Sequence, residues 1–215
     1  MMKQNKMKKP RTLLMIVLGP ALLILLVLGL LLKSSMSSLV RTGDSEIIKN
    51  DLYSLRANAS AYQVELYDEL SEALSKKIEE EEVAALVVKS YIADFYTWTN
   101  KKGSYDVGGQ EYVMPFGLAN FLSKSKDEFY KYVTYYINEY GSENLLEVSS
   151  VTARGYSVYD QIEINGKYHA QFYVEATWEY KASTVFETEK FQAKGYFNVI
   201  KNEDGRFEII SYYHE

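Results

Sequence analysis

Asp94 is the residue of this chain best placed for acid–base chemistry. It stands between Tyr91, Phe95 and Trp98, on or beside an apolar helical stripe, where burial would raise a carboxyl pKa toward that of a general base. The same position suits a structural carboxylate that accepts a hydrogen bond from a Tyr, Trp or backbone donor, because positions 94 and 98 are one helical turn apart. Tyr91, Asp94 and Trp98, facing Phe172 and Trp178 from a strand, would bound a ligand pocket. Little else in the chain could do chemistry. There are two histidines: His169 falls on the polar side of its strand with Gln171 and Glu175, and His214 is the penultimate residue. Zero cysteines exclude disulfides, thiol catalysis and thiolate metal sites, and leave a zinc ion to depend mainly on carboxylates. Glu79–Glu82 suit the positive end of a helix better than a calcium loop, whose spaced ligands are missing. The glycine-rich stretch from Gly103 to Val113 lacks the spacing and the Lys-Ser/Thr pair of a phosphate cradle. The expectation is a protein with no catalytic constellation, no cofactor and no metal.

The elements that would position these residues follow from periodicity. A capping box at Ser60-Ala61-Tyr62-Gln63 opens a helix with Leu66, Leu70, Leu74 and Ile78 on one face. The next helix carries Val83, Leu86, Val87, Tyr91, Phe95 and Trp98. Pro115 starts a short helix through Leu122, and a second capping box, Ser125 to Glu128, predicts a helix over 129–140 closed by Gly141. From Leu145 the period changes to two. Tyr168, Ala170, Phe172, Val174, Ala176, Trp178 and Tyr180 share one face of a strand, and Asn165-Gly166 is a two-residue hairpin turn before it. That turn sets Glu163 opposite Tyr168, on the apolar face, so a bulge is expected near Tyr159–Gln161 or Gly155. Strands around Phe197 and Ile209 complete an antiparallel meander of four. The fold class is α+β, with helices packed on one face of a curved four-stranded sheet.

The N-terminus carries a different signal. Residues 12–32 are an unbroken apolar run of 21 residues, Thr12 to Leu32, preceded by five basic residues in a tail of 11. At about 1.5 Å per residue the run covers a hydrocarbon core of about 30 Å, and the basic tail predicts a cytoplasmic N-terminus with residues 33–215 outside. A cleaved signal peptide is the alternative, though its apolar region is normally shorter. Six Lys and Arg lie at or before Lys33, which leaves 18 basic against 29 acidic residues beyond it, a net charge of −11. Nucleic acid and anionic headgroups are therefore excluded as ligands of the exterior as a whole. Residues 33–60 read as a juxtamembrane linker with a short helix at Ser45–Leu55, and residues 61–215 as one extracytoplasmic domain. Twenty tyrosines suit half-buried strands, or a stacking surface for sugars or a peptide.

The order of elements, carried by Val83–Trp98, Phe129–Tyr140 and the strands from Leu145 to Tyr213, resembles the cone-shaped fold of the nuclear transport factor 2-like (cystatin-like) superfamily. Single-span members with an outside domain resemble scaffold subunits of bacterial type IV secretion and conjugation machines. The resemblance implies a non-catalytic membrane-anchored assembly module, whose partner is another membrane or surface protein or a second copy. The alternative is a ligand-binding or sensory domain with a pocket between sheet and helices. A core packed solid by aromatics would favour docking, an open apolar pocket a ligand.

Overall fold

The structure is a computed structural model that describes residues 48–213. The apolar run at 12–32, its basic tail, the first part of the expected linker and His214 lie outside the described residues. Among those described, no helix is long and apolar enough to cross a membrane.

Four helices and an open antiparallel sheet make up an α+β domain. Helix α1 (Ala61–Lys76) begins at the expected capping box: the Ser60 hydroxyl accepts from the Gln63 amide, and the Gln63 side chain accepts from the Ser60 amide at 2.8 Å. Helix α2 (Glu80–Phe95) has Glu80, Glu81 and Glu82 in its first turn, where carboxylates meet the positive end of the helix dipole. Helix α3 (Pro115–Asp127) starts on its proline, whose missing N–H costs nothing at that position. Helix α4 (Val133–Tyr140) ends at Gly141, whose amide donates to the Ile137 carbonyl.

Strands β3 (Val148–Ile164), β4 (Lys167–Tyr180), β5 (Lys194–Lys201) and β6 (Phe207–Tyr213) pair in sequence order. Asn165 and Gly166 both have positive φ, 53° and 79°, as a primed two-residue turn requires. The register of β3 on β4 shifts between Val158 and Ile162, so a bulge occupies Tyr159–Gln161, one of the two expected places. Phe172, Val174, Ala176 and Trp178 are buried on the inner face of β4, along which α2 lies. Tyr168 falls beyond that cover and is exposed.

Three expectations need correction. First, residues 48–55 are not helical: they form strands β1 (Ile48–Lys49) and β2 (Ser54–Leu55), paired antiparallel. The Asn50 carboxamide oxygen accepts from the amides of Leu52 and Tyr53 at 2.8 and 2.6 Å, and this side-chain turn competes with helix. Residues 48–60 are part of the domain, since Tyr53 and Leu55 are buried in the core. Second, α2 ends at Phe95, so Trp98 lies past it; the Trp98 amide donates to Leu146 and the buried Thr97 hydroxyl accepts from Val148, which ties the chain to the start of β3. Third, Ser125 belongs to α3 and caps nothing. Tyr130 is drawn into the core, and the helix expected from residue 129 starts only at Val133.

Candidate functional site

Asp94 sits in the last turn of α2, where the helix dipole is negative and a carboxylate needs compensation. Three donors supply it. Lys101 Nζ lies 2.9 Å and Arg56 Nε 3.2 Å from Oδ1, while the Gly109 amide donates to Oδ2 at 2.7 Å. Arg56, just past β2, also donates to Asp106 at 2.9 Å and to the Asn100 carbonyl at 3.1 Å. Lys101 also donates to the Asn100 side-chain oxygen at 2.7 Å, and Asn100 Nδ2 donates to the Gln63 side-chain oxygen of α1. One ionic knot thus joins β2, α1, α2 and the glycine-rich loop.

The electrostatics of the knot follow from that geometry. Burial raises the Asp94 pKa, but Lys101, Arg56 and the Gly109 amide together outweigh it and hold the carboxyl below its ordinary value. Burial pushes Lys101 down to about 8, against the pull of Asp94, so the pair is ionised at neutral pH. The Lys101 side chain has no solvent exposure, and the Asp94 side chain retains 19 %. A lowered pKa is the opposite of what a general base near neutrality requires. Beside the knot, a cavity of about 20 Å³, bordered by Arg56, Gln63, Ser90 and Tyr112, is room for about one water molecule.

The glycine-rich loop follows from this packing. A Cβ on Gly108 would run into the Asp94 carbonyl oxygen, and one on Gly109, with φ 74°, would meet the Tyr91 ring. The Tyr130 hydroxyl donates to the Phe95 carbonyl at 2.6 Å and accepts from the Gly108 amide at 3.0 Å, locking the loop over the end of α2.

The other four residues of the expected pocket are buried in side-chain packing. Tyr91 stacks on Phe95, with ring centroids 5.3 Å apart, and meets Phe121 and Phe197; its hydroxyl faces that of Tyr212. Trp98 packs on Phe129 at 4.8 Å and against Tyr136, Phe186 and Phe191. Trp178 lies on Tyr96 at 4.6 Å, and Phe172 on Phe207 at 5.4 Å. Each of the five therefore has its own neighbours, and they do not converge on a shared opening. Larger clefts lie elsewhere. One of about 840 Å³ runs between α1, the β1–β2 segment and the β5–β6 turn, with Lys201 and Glu80 paired at its rim. Another, of about 690 Å³, runs between α3 and β6.

The outer face of the sheet carries a feature that periodicity alone did not reveal. Tyr156, Tyr173, Tyr196 and Tyr213, one from each strand, form a row with successive ring centroids 6.3, 6.1 and 5.3 Å apart. Arg154 lies over Tyr156 and Lys194 over Tyr196, each at 5.1 Å. Such cross-strand and cation–π contacts each contribute about 0.5–1 kcal/mol at exposed positions. His169, Gln171 and Glu175 mark this face of β4 in the sequence, but the alignment of the four tyrosines required the strand register. His169 is half-buried, with Nδ1 3.3 Å from the Lys201 carbonyl oxygen. Among the described residues, no group of three or more His, Asp or Glu could hold a metal ion.

Fold and site together define an α+β domain with an open antiparallel sheet and a filled interior. Compared with known proteins, the chain matches no family model, no curated protein and no solved structure.

Proposed function

We propose that this protein is a non-catalytic interaction module, held on the outer side of a bacterial membrane by residues 12–32, which docks another membrane or surface protein. The observation that carries this reading is the filled interior. Where a ligand-binding relative of the cone-shaped superfamily would keep a pocket, Tyr91, Trp98, Phe172 and Trp178 are spent on packing. Both oxygens of Asp94 are engaged by buried donors. With interior chemistry so occupied, recognition falls to the surface, where tyrosine offers a large, rigid, amphipathic contact area. The resemblance to scaffold subunits of secretion and conjugation machines agrees with such a role. The net charge of −11 beyond Lys33 would steer a basic partner.

The test is co-purification from native membranes in mild detergent, with bound proteins identified by mass spectrometry. A partner recovered near unit ratio, and lost when residues 48–215 are removed, is the expected result. Recovery of the chain alone would sink the docking role and turn attention to small ligands at the cleft between α1 and the β5–β6 turn. A chain that stays soluble after membranes are washed with alkaline carbonate would sink the anchor separately.

A further inference from the structure

One-electron oxidation of this chain has few places to begin. There is no cysteine, and Trp98 and Trp178 are both buried. Among the described residues Met114 is the one methionine, and its sulfur takes up oxygen instead of coupling. Accessible radical chemistry therefore falls to tyrosine, whose phenol gives up an electron and a proton together. Two tyrosyl rings join only when the carbons beside their hydroxyls can meet, so the arrangement of neighbouring rings decides the product.

The outer row meets that condition at one pair. Tyr196 and Tyr213 are direct cross-strand partners, and their rings stack with centroids 5.3 Å apart and planes 23° apart. Tyr173 is stacked on Tyr196 but lies diagonal to it, at 6.1 Å, while Tyr156 faces Tyr173 directly but is tilted by 37° at 6.3 Å. The Tyr173 hydroxyl hydrogen-bonds that of Tyr213, so a hole formed along the row is shared toward its end. Asn198 Nδ2 donates to Ser211 Oγ at 2.9 Å beside the pair, and the register break of β6 at Ile210 lies beyond that bond. Competing pairs are less favourable. Tyr53 and Tyr112 stack at 5.6 Å but are buried. On α4, Tyr136 and Tyr140 stack at 6.3 Å, and Tyr135 meets Tyr136 edge-on.

We propose that Tyr196 and Tyr213 form an oxidative cross-linking site, at which a haem peroxidase with hydrogen peroxide joins β5 to β6 through a dityrosine bond. Each phenol loses one electron and its hydroxyl proton. The radicals couple between the ring carbons beside the hydroxyls, and the hydrogens displaced from those carbons return to the oxygens. Hydrogen peroxide takes up the two electrons and two protons and leaves as two molecules of water. The bond closes the chain between residues 196 and 213 and limits the freedom of the unfolded state, as a disulfide would in a chain that had cysteines. It also pins the strand whose Phe207 holds Tyr53. The site is independent of the docking role, and neither stands or falls with the other.

The test treats the full chain, dilute in detergent micelles, with a haem peroxidase and limiting hydrogen peroxide. The expected product is a monomer lighter by two hydrogens, in which trypsin leaves residues 195–201 joined to residues 207–215 through Tyr196 and Tyr213. It should melt several degrees above the untreated chain. Tyr213→Phe and Tyr196→Phe should each abolish this product at unchanged melting temperature before treatment, and Tyr140→Phe should leave it in place. A cross-link mapped to Tyr136 and Tyr140 would overturn the site, as would an intramolecular product that persists in Tyr213→Phe. Covalent dimers through fully exposed Tyr159 as the sole product, or oxygen added at Met114 without any cross-link, would overturn it equally.

Discussion

Replacing Asp94 by asparagine removes the carboxylate that pairs with buried Lys101 and one of the two that pair with half-buried Arg56. Breaking one partner of such a network typically costs about 3–5 kcal/mol. Asp94→Asn should lose stability on that scale in urea titrations, and Lys101→Met distinctly less, because Arg56 and the Gly109 amide would still hold the carboxylate. The pH dependence has a definite sign. The Asp94 carboxyl is held below its ordinary value of 3.8, so its contribution is fully present above that value and is lost as pH falls through the lower, folded-state pKa. Melting temperature should therefore drop more steeply below about pH 4 in the wild type than in Asp94→Asn. Equal slopes would mean that the knot is not what holds the carboxyl ionised.

The N-terminal strap, residues 48–60, is fastened at two places. The Tyr53 hydroxyl donates to the Phe207 carbonyl and accepts from the Phe207 amide, both at 2.8 Å, while Arg206 lies over the Tyr53 ring and binds the Leu52 and Glu111 carbonyls. Arg56 makes the second fastening through the ionic knot. Tyr53→Phe leaves buried backbone groups of Phe207 without partners and should cost about 1–3 kcal/mol by chemical denaturation. Two glycine substitutions make a contrasting pair. Gly108→Ala places a methyl group into the Asp94 carbonyl and should prevent the loop from closing, read as a collapse in melting temperature. Gly117→Ala, inside α3 with nothing within 4 Å, should stabilise by about 0.5–1 kcal/mol. Elements defined by neighbours in sequence were legible: the α1 capping box, the Asn165-Gly166 turn and the bulge that alternation demanded. The strap was not. Its strands are two residues long, too short to show a period, and the bonds of Tyr53 and Arg56 reach far along the chain. At the site, Asp94 stood out as a carboxylate on an apolar stripe, but Lys101 in a polar loop looks like any solvated lysine until the fold buries it.

At the scale of the molecule, the strap moves the start of the folded unit. Residues 45–215 cluster as one compact unit, so a chain begun at Ser45 should give a cooperative melt. A chain begun at Ala61, where periodicity sets the domain boundary, lacks Tyr53, Leu55 and Arg56. It should melt without a sharp transition, leaving Asp94 with one of its two cations and β6 without its tyrosine clamp.

The Tyr53–Phe207 bonds join residues 154 positions apart, which links the beginning of the domain to its last strand. A chain made from its N-terminus delivers the strap first and its binding partner last. Until β6 emerges, Tyr53 has nothing to close on, and the apolar faces of the earlier helices and strands stay open to chaperones and proteases. Chains stalled before residue 207 should be cut rapidly by protease, and chains released after residue 213 should resist. The domain thus carries a built-in check on completeness: an unfinished copy remains visibly unfinished to the quality-control machinery it meets.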